Sequence, residues 1–151
     1  MNMETNFIAL VPGFKFERRP TFVLTCDAAG LRWLRDAFLE LVEAESEDSF
    51  IVGDGIPIAS DDMCRLTVVK SRNGQASEIL PSVQPDFIWH IDPADVATYA
   101  GDLSSLLSSN IPGHQYLEVE RGNYRTVVVT KHEYPVDTIR AMRDGRTPAA
   151  R

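Results

Sequence analysis

Three histidines, two cysteines, scattered serines and a run of carboxylates are the side chains in this 151-residue chain with chemistry to offer. A metal site needs several His, Cys or carboxylate groups converging on one point. A tight turn at Gly122-Asn123 sets His114 across a hairpin from Lys131, so His132, the next residue, points to the opposite face. Histidines on opposite faces do not share a metal. His90 and Asp92 fall on one face, but Asp92 is placed to cap a helix. The expectation is therefore no metal and no cofactor.

Nucleophilic catalysis fares no better. It needs a Ser or Cys beside a base and oxyanion donors, and the chain has no GxSxG elbow. Ser104, Ser105, Ser108 and Ser109 fall on the solvent side of a helix, while Cys26 and Cys64 sit inside apolar, strand-like runs. Buried free thiols in a reducing cytoplasm are the natural reading of two such cysteines. Gly53-Asp54-Gly55 has no Lys and no helix after it, so it reads as a turn rather than a phosphate loop. No catalytic residues are expected.

What remains is charge. From Asp36 to Cys64 the chain carries nine acids and no Lys or Arg. The total is −7 and this stretch alone is −9, which leaves +2 on everything else. Glu43, Glu45, Glu47, Asp48, Asp54, Asp61 and Asp62 fall on the end of a helix and on loops. If those loops meet at one end of a sheet, they make a single-sign edge able to steer a basic partner. A different possibility gathers Trp89, His90, His114, Tyr116 and Tyr134, the residues that combine ring faces with titratable groups, into a cleft between two halves of the chain.

Two similar segments would have to position these residues. Thr21–Val42 and Asp86–Leu107 match at an offset of 65, with Phe22 on Phe87, Asp27 on Asp92 and Ala29 on Ala94. Each opens with a short apolar strand and reaches an Asp that can cap a helix. Pro93 suits a first helical position, and Asp95 adds charge at the positive end of the dipole. Leu31, Leu34, Phe38, Leu41 and Val42 form one helical stripe; Val96, Tyr99, Leu103, Leu106 and Leu107 repeat it. After each helix come two more strand-like runs. His114–Arg121 and Tyr124–Lys131 flank Gly122-Asn123, while Phe50-Ile51-Val52 and Cys64–Lys70 flank a longer loop from about Gly53 to Met63.

The expected fold is α+β: two tandem β-α-β-β units, about 21–71 and 86–131, forming one roughly six-stranded, mainly antiparallel sheet with two helices on one face. An extra strand is possible at Phe7–Val11. Residues 73–85 read as a linker, and 144–151 as a flexible tail within a single 1–151 domain.

Composition narrows the function classes. Hydrophobic content of 44% and charged content of 25% are those of a globular domain. A pI of about 4.9 argues against nucleic acid or a membrane surface as partner. No apolar run spans a bilayer, and the N-terminus lacks the basic start of a secretory signal, so the expected place is the cytoplasm.

Ala29-Gly30-Leu31-Arg32-Trp33-Leu34 with its Leu-rich helix, and Gly113-His114-Gln115-Tyr116-Leu117 leading to Glu133-Tyr134-Pro135, resemble small bacterial α/β proteins. Some of these are immunity proteins of polymorphic toxin systems. The resemblance implies a non-catalytic protein that blocks a toxin domain through a complementary surface; the second unit and the long acidic loop depart from that pattern. Three functions follow as expectations: a binding module whose acidic edge meets a basic partner, a small enzyme or small-molecule binder with a cleft between the units, or an assembly protein that dimerises through a sheet edge.

Overall fold

The computed structural model describes residues 8–16, 19–55, 58–60, 64–83, 86–109, 111, 113–122 and 124–131. In chain order the elements are β1 (Ile8–Phe16), β2 (Arg19–Cys26), α1 (Ala28–Glu43), β3 (Ser49–Ile51), β4 (Ile58–Ser60), β5 (Leu66–Lys70), β6 (Glu78–Pro81), β7 (Phe87–Ile91), α2 (Pro93–Ser108), β8 (Gly113–Glu118) and β9 (Thr126–Lys131). The class is α+β. The expected tail at 144–151 lies outside the described residues.

Both helices start as their local sequence dictates. Asp27 Oδ1 accepts the Gly30 amide at 2.7 Å, and Asp92 Oδ1 accepts the Ala94 amide at 2.9 Å. Each bond satisfies one of the donors a helix start leaves orphaned. Leu31, Leu34, Phe38 and Leu41 are buried on α1, and Val96, Tyr99, Leu103 and Leu106 on α2; Val42 and Leu107 are only partly covered. The polar side of α1, including Arg32, Asp36, Glu40 and Glu43, is exposed.

The strands do not build one six-stranded sheet. They form a five-stranded sheet in the order β4-β1-β2-β9-β8 and a four-stranded sheet in the order β3-β5-β7-β6. Both are mixed, because β1–β4, β2–β9 and β5–β7 are parallel while the remaining pairs are antiparallel. The route is an exchange. The chain leaves the first sheet at β2, passes through α1, enters the second sheet at β3, returns to the first at β4 and re-enters the second at β5. It then leaves the second sheet at β7, passes through α2 and returns to the first at β8 and β9. β2 becomes an inner strand with both faces covered, and Thr21 through Cys26 are all buried. A continuous Phe-Val-Leu run of this kind suits such a strand.

Two strands lie where loops were expected. β6 falls inside the 73–85 segment read as a linker, and β4 falls inside the long loop that follows β3. The β8–β9 register is also one residue away from the expected one. His114 pairs with Thr130, and Gly113 with Lys131, because the ladder continues through the Val119 amide to the Arg125 carbonyl and closes on a turn with Gly122 at φ +89°. One residue of slip exchanges the faces of a strand. Lys131 accordingly points to the core side and His114 to the outer side.

One core joins all the layers. Phe38 on α1 has its ring 5.3 Å from Phe50, 6.0 Å from Trp89 and 6.2 Å from Tyr99, in edge-to-face contacts. Phe22 on β2, Phe87 on β7 and Tyr124 before β9 form a second group with centroids 5.5–5.7 Å apart, tying one sheet to the other. Such pairs contribute about 0.5–1.5 kcal/mol each beyond the area they bury.

Candidate functional site

The acidic residues nearest the end of α1 form a rigid turn. Glu43 ends the helix, and the Asp48 amide donates to the Glu45 carbonyl at 3.2 Å. Asp48 Oδ2 accepts the Glu45 amide at 3.3 Å. The second half of the turn is bonded to the end of β5, Glu47 N donating to Lys70 O at 2.6 Å and Lys70 N to Asp48 O at 2.9 Å. Glu47 has a φ of +76°, a left-handed conformation that costs a non-glycine residue about 1–3 kcal/mol and persists only where neighbours enforce it. Glu43, Glu45, Glu47 and Asp48 are all exposed.

Tertiary structure alters the charge that the sequence places here. Lys70 sends its Nζ to the Val42 carbonyl at 3.0 Å and the Ala44 carbonyl at 2.7 Å. Arg72 pairs with the Glu47 carboxylate at 3.0 Å, both side chains being mostly in water. An exposed pair of that kind is worth about 0–1 kcal/mol and leaves the turn net negative. Among the described residues, Glu43, Glu45 and Asp48 make no ion pair. Asp54 is exposed too, but it follows β3 while Glu45–Asp48 precede it, so the strand separates them. Asp61 and Asp62 lie outside the described residues.

The proposed cleft residues are not brought together. Trp89 and His90 are consecutive on β7 and point to opposite faces: Trp89 is fully buried against Phe38 and Tyr99, and His90 is half-exposed on the outer face. His114 and Tyr116 belong to β8 of the other sheet, exposed on its outer face with their rings 4.9 Å apart. Tyr134 lies outside the described residues. The alternation of side chains along β7 separates the first pair.

A second group of carboxylates escaped the sequence reading because it is assembled from distant segments. Ser77, wholly buried, donates its hydroxyl to Asp95 Oδ2 at 2.7 Å and accepts the Asp92 amide at 3.1 Å. The Tyr99 hydroxyl donates to the Glu118 carbonyl. Glu120 faces Asp95, and hydrogen bonding between the two carboxyl groups holds Glu120 above the usual glutamate value, with some burial and the charges of Asp95 and Asp92 adding to the effect. Burial, then the Asp95 charge, raises the Tyr99 hydroxyl.

None of this activates a nucleophile. Burial, with a smaller contribution from Asp27, pushes the Cys26 thiol up, the reverse of what a reactive cysteine requires. Ser77 has an acid beside it but no surface for a substrate to reach. Among the described residues no three His, Cys, Asp or Glu side chains are grouped to hold a metal ion, and no helix is long and apolar enough to cross a membrane. No protein-family model, curated protein or solved structure matches the chain.

Proposed function

We propose that this chain is a non-catalytic binding module of the immunity type, presenting the acidic turn at the end of α1 to a basic protein surface. The observation that carries this reading is the turn itself. Glu43, Glu45, Glu47 and Asp48 are exposed on a segment tied to the end of β5 by the backbone of Glu47 and Asp48 and by the Lys70 ammonium on the Val42 and Ala44 carbonyls. Carboxylates held on a fixed backbone lose little freedom on binding, and like charges gathered in one place steer a cationic partner from a distance. A basic toxin domain, such as a nuclease, is a partner of the right chemistry.

The test is recovery of a partner from the source cells by the wild type and by a variant carrying Glu43→Gln, Glu45→Gln, Glu47→Gln and Asp48→Asn. A partner with a basic surface, lost from the variant and weakened by salt, is the expected result. Equal recovery by both proteins overturns the reading.

A further inference from the structure

The two sheets differ in how their outer faces are covered. On the first, outward residues of β2 are buried, with Thr21, Val23 and Thr25 at 1%, 4% and 5% exposure. On the second, every outward residue is half-exposed or exposed. Register sets these residues in two rows across the four strands. Ile51, Thr67, Ile88 and Leu80 make one row, and Ser49, Val69, His90 and Glu78 the other. The first row is apolar apart from the Thr67 hydroxyl. Leu80 is 40% exposed, and Val83, in the β6–β7 connection, is 81% exposed. An apolar strip on an open face is a contact surface in waiting.

Acids stand near both ends of that strip, Glu47 among them in its exposed pair with Arg72. Glu47 and Asp48 lead into β3, and Asp54 follows it, on one edge; Glu78 stands on β6 at the other. Four strands put β3 and β6 about 14 Å apart. A helix lying along the strip runs from β3 to β6 and sets one flank over the second row, where long side chains can reach toward Glu78 and the Glu47–Asp48 turn.

We infer that the outer face of the β3-β5-β7-β6 sheet receives an amphipathic helix of the partner protein, its apolar stripe on Ile51, Ile88 and Leu80 and its flanking Lys or Arg residues on Glu47, Asp48 and Glu78. This rests on the reading of the acidic turn as a contact for a basic protein and names the form that contact takes. The apolar row supplies the affinity and the acids near its ends the orientation.

The probe is a synthetic Leu/Lys peptide patterned at helical period, compared with a scrambled peptide of the same composition and with a Lys-only peptide. Binding is followed by fluorescence anisotropy, and its location by amide exchange. The patterned peptide is expected to bind best, to slow exchange in β5 and β7, and to bind about tenfold more weakly to Leu80→Ser/Ile88→Ser. Leu80→Ser alone, at an exposed site, tests the same contact should the double variant fail to fold. Equal binding of patterned and scrambled peptides overturns the proposal. So does binding that ignores Leu80→Ser yet falls with Glu47→Gln/Asp48→Asn, an outcome that leaves the acidic turn standing as a contact. Self-association of the chain that Leu80→Ser abolishes also overturns it, by assigning the strip to a second copy. If no peptide binds, the Lys-only peptide included, both readings fall.

Discussion

Lys70 and Lys131 hold matching places on the two helices. Lys70, the last residue of β5, donates to the carbonyls of Val42 and Ala44 at the end of α1. Lys131, the last residue of β9, donates to Leu106 O at 2.9 Å and to Ser109 O at the end of α2. Neither helix has a basic residue in its own last turn, so each strand supplies the cation that its helix lacks.

Lys131 is 5% exposed and Lys70 only half-buried, and that difference sets the size of the effect. Lys131→Met should cost about 2–3 kcal/mol, because it removes a buried cationic donor from two carbonyls at the end of α2. Lys70→Met should cost about 1 kcal/mol, since water can replace the ammonium there. Urea unfolding of the two variants beside the wild type measures both.

Phe38 is where the aromatic core converges, its ring touching partners on β3, β7 and α2. Phe38→Ala should destabilise by about 3–5 kcal/mol, from lost burial and the cavity left behind. A chemical denaturation midpoint that shifts only slightly would show that the site collapses around the smaller side chain.

The Glu120–Asp95 pair gives a signed pH dependence. Glu120 is raised in the folded chain, so its favourable contribution is complete below the ordinary glutamate value and disappears as pH rises through the raised one. Above that window the Asp95 charge opposes the Glu120 carboxylate. Glu120→Gln should therefore raise Tm at neutral pH, and the difference from wild type should shrink on acidification through that window. A constant difference from acid to neutral would contradict the pairing.

Cys26 and Cys64 are buried and unbonded to each other, and burial holds the Cys26 thiol protonated. Neither should react with a thiol reagent in the native state, and both should react once denaturant unfolds the chain. Rapid labelling under native conditions would show that this part of the core opens.

The local elements were legible in the sequence because local physics makes them. Asp27 and Asp92 cap helices wherever a strand hands over to an apolar stripe, and the stripes mark the faces that Phe38 and Tyr99 bury. The exposure of Glu43, Glu45, Glu47 and Asp48 was equally legible from a charge run with no cation in it. The β8–β9 register was not, because Gly122-Asn123 signals a turn without fixing how many residues it holds.

By itself the sequence determined the helices, their caps, most of the strands, the α+β class and the acidity of one stretch, all of which depend on residues close together in the chain. Only the tertiary structure decided which strands are neighbours. β2 pairs with β9 and β5 with β7, contacts between distant segments whose backbone hydrogen bonds are the same whatever side chains they carry. That choice split the expected sheet in two and set Lys70 and Arg72 beside the acidic turn. It also placed His90 and His114 in different sheets and left open the face on which Ile51, Ile88 and Leu80 lie in one row.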